Sequence, residues 1–208
     1  MAAGLFISLE GIDGVGKSTQ SDLLEEFLRS VGRDVVRTFE PGGTELGQEI
    51  RHLLLHRKGD VAPRAEALLY AADRAHHVAT KVRPALDRGD VVITDRYLDS
   101  SVAYQGVGRA LKADDVRDIS MFAVEGLLPD LTILLDLEAT AAAERRNTTG
   151  DEPDRLEREK IEFFEAVRQA FLDMATAEPN RWLVIDARQS VDAMQDQIRA
   201  RVSQLLGA

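Results

Sequence analysis

Short apolar, β-branched runs recur at Leu5–Leu9, Val35–Thr38, Val91–Thr94, Leu131–Leu135 and Trp182–Ile185, and long stretches of helical period separate them. That alternation predicts a parallel sheet with helices on both faces, an α/β architecture of five strands. Leu23, Leu24, Phe27 and Leu28 line one face of the first helix, and Gly32 stands where a C-cap is expected. Near the C-terminus Val191, Met194, Ile198, Val202 and Leu205 step by three or four residues, a stripe that packs on a sheet. Between these regions, Glu144–Arg155 reads "ERRNTTGDEPDR". With Gly, Pro, many charges and almost no apolar side chain it cannot add to a core, so it reads as a mobile excursion. A helix is expected to resume from Leu156, carrying Phe164, Val167, Phe171 and Met174. The excursion is therefore a flap between helices, a lid over about residues 144–156.

Composition narrows this picture without redirecting it. The 208 residues are 44% hydrophobic and 30% charged, with no repeat of fixed period, so one domain carrying a mobile insertion is the expectation. The absence of cysteine excludes disulfides, thiolate-bound zinc and thiol catalysis. A formal net charge of −10 disfavours general binding to nucleic acid or a membrane surface, because both polyanions would be repelled. Any anionic ligand must be captured locally. The start "MAAGLFISLE" has no basic region, and no apolar run approaches the roughly 18 residues of a membrane span, so the expected location is cytoplasmic.

Local capture has an evident place. In "LEGIDGVGKSTQ", Gly11, Gly16, Lys17 and Ser18 satisfy G-x-x-x-x-G-K-[ST] directly after one predicted strand and at the opening of a predicted helix. Glycines let backbone N–H groups converge on phosphate oxygens, and the helix N-terminus adds positive potential. Lys17 reaches the terminal phosphates and Ser18 can ligate Mg²⁺. The segment holds a nucleoside triphosphate. Such a site serves switches, motors, transporters and kinases alike. The sequence has no N-K-x-D element for reading guanine and no interaction domain of the size motors or transporters carry, which favours a kinase of small substrates. A second anion site is then required, and Arg51, Arg74 and Arg96 stand near the ends of predicted strands, where ligands sit in such sheets.

Taken together, "EGIDGVGKST", "EPGGTELGQEIR", "LLYAADR", "DRYLDSSVAYQG", "GLLPDLTILLDL" and "DRLE" after the flap resemble, in order and spacing, the bacterial thymidylate kinases. The resemblance spans essentially the whole chain. It implies a P-loop NTPase fold that transfers the γ-phosphoryl group of Mg²⁺·ATP to dTMP, small molecules as the only ligands, and a homodimer. By that resemblance Gly11, Ile12, Asp13, Gly14, Val15, Gly16, Lys17, Ser18 and Thr19 cradle ATP. Asp13 faces the deoxyribose 3′-hydroxyl and the transferring phosphate, and Ser18 and Asp95 lie at Mg²⁺. Glu40 belongs to the acceptor site, Tyr70 stacks on thymine and Arg74 donates to the base carbonyl. Arg51 and Arg96 bind the acceptor phosphate, Ser101 and Gln105 contact the base, and Tyr104 packs under the sugar and disfavours a 2′-hydroxyl.

The phosphate loop holds no arginine between Gly11 and Lys17, so the cation that neutralises the transferring group must come from elsewhere. By resemblance it comes from the lid, first Arg155 and then Arg146, with Arg145 as readily a solvated charge. Intact Lys17, Asp95, Arg96 and Arg155 argue against a nucleotide-binding regulator without transferase activity; another nucleoside or nucleotide kinase is the nearer alternative. One departure stands out: the family usually reads "TREPGGT", whereas "TFEPGGT" places Phe39 where arginine is expected. Either Arg37 or a neighbour substitutes, or dTMP affinity is weakened, or the acceptor differs. Other signals carry less. His52 and His56 at i,i+4 lack the glutamate of a zinc-protease motif. His76 and His77 are expected at surface and groove positions, "GVGRA" at 106–110 misses the dinucleotide fingerprint, and Glu157, Glu159, Glu162 and Glu165 read as a solvated face.

Overall fold

The computed structural model describes residues 4–109, 111–147, 156 and 159–207. Five parallel strands, β1 (Leu5–Glu10), β2 (Val35–Phe39), β3 (Val91–Asp95), β4 (Leu131–Asp136) and β5 (Trp182–Asp186), assemble in the order β2-β3-β1-β4-β5. Each strand occupies its predicted run and then extends one residue further, onto Glu10, Phe39, Asp95, Asp136 and Asp186. Four of these five added residues are carboxylates, which apolar patterning does not count as strand although the ladder runs through them. β1 is buried throughout, as a central parallel strand covered on both faces must be.

Alternate residues of the strands feed two cores. On one face Ile7, Leu9 and Ile93 meet Leu24 and Leu28 of α1 (Lys17–Ser30), Phe164 and Phe171 of α8 (Ile161–Ala177), and Ile198 and Val202 of α9 (Val191–Leu206). On the other, Phe6 and Val92 pack with Val78, Val82, Tyr97 and Val102. The α9 stripe is buried at Met194, Ile198 and Val202, while Val191 and Leu205 at its ends are half-exposed. Helix α1 ends as expected: Gly32 adopts φ 78°, and its N–H donates to Arg29 O at 3.0 Å.

The remaining helices include those that cover the second face of the sheet. Helix α2 (Glu45–Arg51) starts at Thr44, whose hydroxyl accepts from Gly47 N at 3.0 Å, and continues into a π-helical turn, His52–His56. Helix α3 (Pro63–His77) runs into a second π turn, Val78–Val82, and then α4 (Arg83–Asp87). Helix α5 (Leu98–Ser101) leads into a third, Val102–Gly108, ahead of α6 (Ala113–Ala123). Helix α7 (Ala139–Asn147) follows β4.

The helices on either side of the expected flap have bounds other than those read from the sequence. The flap's first residues, 144–147, are helical as the end of α7, and α8 begins at Ile161 rather than Leu156. Leu156 instead sits in a turn and packs with Ile50, Leu54, Leu55 and Tyr70 in a small separate cluster. Among the described residues no helix is long and apolar enough to cross a membrane.

Candidate active site

In an open parallel sheet ligands bind beyond the carboxyl ends of the strands, near the point where strand order reverses. Here β1 lies between β3 and β4, and the turns after β1 and β3 are neighbours. Arg96 N donates to Leu9 O at 3.0 Å, which ties the start of the turn after β3 to the end of β1. Two cavities open there, one of about 1360 Å³ and one of about 570 Å³, and Asp13, Glu40, Arg51 and Arg96 border both.

The larger cavity is floored by the glycine-rich loop. Gly11, Gly14 and Gly16 adopt φ of 129°, 88° and 100°, left-handed values that glycine tolerates best. A Cβ on Gly11 would lie 2.6 Å from Leu135 O, so the loop approaches β4 too closely for any side chain there. Ile12 and Val15 anchor the loop in the core, leaving Gly14, Ser18 and Thr19 exposed at the cavity. Lys17 is buried; its Nζ donates to Gly11 O at 3.2 Å and Ile12 O at 3.1 Å and lies 3.8 Å from Asp13 Oδ1. Burial, then the nearby Arg96, pushes its pKa below the usual lysine value, while Asp95, Asp13 and Glu10 hold it up. Asp95, at the end of β3, borders the same cavity as Ser18, and its Oδ1 is buried without a hydrogen-bond partner. A carboxylate oxygen left orphaned in a residue that lines the same cavity as a serine fits a hard divalent cation such as Mg²⁺, which takes oxygen donors and keeps several waters.

Arg96 joins the cavities. Its backbone sits at φ 69°, a left-handed value for a non-glycine residue, strain of order 1 kcal/mol or more that such sites commonly hold. Nη2 donates to Asp13 Oδ1 at 2.7 Å and Tyr104 Oη at 3.2 Å, Nη1 donates to Ser100 Oγ at 3.0 Å, and the guanidinium lies 4.9 Å from the Tyr104 ring centre. Desolvation works against its charge, but Asp13, Tyr104, Asp95 and Glu10 outweigh it and raise its pKa well above the ordinary value. Behind Arg96, Glu10 accepts from Tyr97 N at 2.8 Å and Ser100 Oγ at 2.6 Å. Burial and the charge of Asp99 push its pKa up to about 8.

The smaller cavity is walled by Tyr70, Arg74, Ser101, Tyr104, Gln105 and Leu156. Arg74 is buried and held on every side: Nε donates to Glu40 Oε2 at 2.7 Å, Nη2 to Ser101 Oγ at 3.0 Å and Tyr97 O at 3.3 Å, and Nη1 to Ser120 Oγ at 3.3 Å. Glu40 is shared with His77, whose Nδ1 lies 2.8 Å from Oε1 and whose Nε2 lies 2.6 Å from Thr38 Oγ1. His77 thus belongs to the interior, correcting the surface and groove expectation. Next to it, Asp73 accepts from Gly42 N at 3.1 Å, and burial, then the charge of Glu40, pushes its pKa up to about 6.

All the expected loop and acceptor residues among those described border one or both cavities, except Gly11, Ile12 and Val15, which form the loop's buried frame. Arg145 borders the larger cavity and donates to Ala187 O at 3.0 Å, so it is not simply a solvated charge. Arg155 and the side chain of Arg146 lie outside the described residues. Of the cations considered beside Phe39, Arg37 is held by Asp22 and Glu25, while the Arg51 guanidinium stands 5.8 Å from the Phe39 ring centre and donates to Pro41 O at 2.9 Å. Glu165 caps α7 through Ala139 N at 2.7 Å and Glu159 pairs with Arg109 at 2.5 Å, so neither is merely solvated.

Sequence reasoning passed over Glu10, Glu66 and His77 as site residues. A signal existed for two of them: Glu66, Tyr70, Asp73, Arg74 and His77 recur at helical spacing and are all buried on α3, a polar stripe that a search for apolar periodicity passes over.

A family model described as thymidylate kinase matches residues 9–198. The chain belongs to the thymidylate kinase family. It is 64% identical to a thymidylate kinase of Leifsonia xyli subsp. xyli over 96% of this chain and 94% of that one. To a thymidylate kinase of Deinococcus radiodurans it is 48% identical, over 98% of both. The crystal structure of thymidylate kinase from Ehrlichia chaffeensis superposes with a TM-score of 0.80 at 30% identity, covering 97% of this chain and 99% of that one. Family membership makes the protein a nucleotide kinase acting on small molecules.

Proposed function

We propose that the protein transfers the γ-phosphoryl group of ATP to dTMP, giving ADP and dTDP. The observation that carries this reading is the pair of cavities meeting at Asp13 and Arg96, one floored by a phosphate loop and the other walled by an aromatic ring, a guanidinium, a hydroxyl and an amide that suit a pyrimidine base. In it, ATP lies on Gly11–Thr19 with Lys17 at its terminal phosphates. A phosphate oxygen of dTMP attacks the γ-phosphorus in line as the bond to the ADP oxygen breaks, with no covalent enzyme intermediate. Arg96 and Arg51 hold the acceptor phosphate, and Asp13 lies by the sugar 3′-hydroxyl. Tyr70 stacks on the base, and Arg74, Ser101 and Gln105 meet its edge. Tyr104 supports the sugar. Ser18 and Asp95 would hold Mg²⁺, which when bound neutralises charge on the phosphates. Arg155 and Arg146 supply cations from a lid over about residues 144–156 of a single domain.

Two further features belong to this reading. Exposed Leu46, Leu53, Leu68 and Phe122, carried by the adjoining α2, its π turn, α3 and α6, support a homodimer, and the acidic surface supports a cytoplasmic, nucleic-acid-free role. An ADP-release assay with Mg²⁺·ATP and dTMP, dUMP, UMP, CMP, dGMP, AMP or thymidine, each against no acceptor, tests the activity. Strong preference for dTMP is expected; turnover led by another acceptor, or none that depends on acceptor, overturns the reading.

Phe39→Arg places a second cation beside Arg51 in the lining of the larger cavity. It is expected to lower the dTMP KM by about threefold or more, the worth of a partly screened charge-assisted contact. An unchanged or raised KM in steady-state assays would show that Phe39 is a tolerated local change.

A further inference from the structure

On α3, Glu66, Tyr70 and Arg74 stand four residues apart and so share one face. Tyr70 and Arg74 line the smaller cavity, while Glu66, fully buried, stands behind its wall. Glu66 Oε1 accepts from Gln105 Nε2 at 3.0 Å and from Arg109 Nε at 3.4 Å. An oxygen that receives two donors, one of them a guanidinium, can face only the nitrogen end of the Gln105 amide. Chemistry therefore dictates the amide's orientation, which geometry alone leaves open to a 180° flip. The opposite end, Oε1, accepts no hydrogen bond among the described residues and is not sealed off, and Gln105 lines the smaller cavity.

We propose that Glu66 is a positioning residue for base specificity: by holding the Gln105 amide oxygen toward the cavity, it selects a pyrimidine whose N3 carries a proton and rejects the cytosine ring. This rests on the reading that the smaller cavity holds the acceptor's base. Thymine and uracil present N3–H flanked by carbonyl oxygens, which suit an amide oxygen and a guanidinium that can only donate. Cytosine presents an unprotonated N3 and an exocyclic amine at the corresponding edge, so oxygen meets lone pair and Arg74 meets another donor. Such a site discriminates strongly because the wrong base leaves buried polar groups unpaired. The device is blind to the thymine methyl group and leaves the choice between dTMP and dUMP to other contacts.

The test is the ratio of kcat/KM for dTMP to that for dCMP. Glu66→Met frees the amide to turn, and the ratio is expected to fall about tenfold or more, with dCMP gaining relative to dTMP. Glu66→Gln, a gentler change should the apolar variant not fold, is expected to lower the ratio by about threefold, because its amide can offer either end. In a Gln105→Leu background neither substitution is expected to move the ratio further, since Glu66 acts through Gln105. Loss of both activities in step, an unchanged ratio in a folded variant, or a shift that persists without Gln105 would overturn the proposal. An unaltered protein that does not prefer dTMP would overturn the functional reading instead, so the two failures are distinguishable.

Discussion

Arg96→Met is expected to lower kcat for ATP-dependent dTMP phosphorylation by on the order of 10³, the scale on which a preorganised cation at a transferring phosphoryl group acts. The geometry concentrates three tasks on this residue. It ties the turn after β3 to Asp13 in the phosphate loop at 2.7 Å, lies against the Tyr104 ring at 4.9 Å, and borders both cavities. In the proposed function no rearrangement of a loop is needed to place its charge between donor and acceptor phosphates. Its strained backbone is held from both sides, by Arg96 N on Leu9 O and by Thr94 Oγ1, which donates to Arg96 O at 2.9 Å. Both contacts are made by the Arg96 main chain and survive the substitution, so the fold and thermal midpoint should change little while turnover collapses. Arg96→Lys should recover only a small part of the loss, because an ammonium cannot make the planar fork to Asp13, Ser100 and Tyr104 at once. Steady-state kinetics with calorimetry on the same samples checks this; a kcat within tenfold of the unaltered protein would remove Arg96 from the chemistry.

The sheet was legible because its central strands are buried on both faces, which forces continuous apolar runs such as Leu5–Leu9 and Leu131–Leu135. Edge strands β2 and β5 mix buried and more exposed positions, yet turn and helix signals on either side bounded them well. The phosphate loop was equally legible, since its glycines and lysine are required by backbone geometry and charge. The residues behind the ligand walls were not. His77 looked like a groove histidine because nothing local shows that Thr38 and Glu40, some 39 and 37 positions earlier, converge on its two ring nitrogens. Glu66 stands in the first turn of α3, where an acidic residue needs no role beyond the helix N-terminus and so draws no notice in the sequence. Its partner Gln105 is 39 positions away, and only the packing of α3 against the Val102–Gly108 turn joins them. Leu156 was joined to the helix that carries Phe164, Val167, Phe171 and Met174, whereas it clusters with Ile50, Leu54, Leu55 and Tyr70. Pairings of this range belong to tertiary structure, and one-dimensional periodicity does not contain them.

The same buried network yields the largest expected effect on stability. Glu40 is 4% exposed and stands between Arg74, 1% exposed, and His77, 0% exposed, with one carboxylate oxygen for each. Glu40→Ala removes the only carboxylate hydrogen-bonded to Arg74 among the described residues and leaves a guanidinium desolvated with neutral partners, Ser101, Ser120 and the Tyr97 carbonyl. Breaking a buried pair from one side costs about 3–5 kcal/mol, because the remaining charge keeps its desolvation penalty without its attraction. At roughly 2–4 °C per kcal/mol for a chain of this size, the thermal midpoint should fall by about 10 °C. The sign of a second substitution makes the argument specific. Removing the stranded charge as well, in Glu40→Ala with Arg74→Met, should restore part of the midpoint lost in Glu40→Ala alone, since the double change leaves no unpaired ion in the interior. Calorimetry of the two single variants and the double variant measures this coupling. Strictly additive losses, or a Glu40→Ala midpoint within about 3 °C of the unaltered protein, would mean that water or a neighbouring side chain reaches Arg74 and that the network is not closed. A closed network is what the acceptor site requires, because Arg74 can offer a fixed set of donors to a ligand only while Glu40 holds its Nε in place.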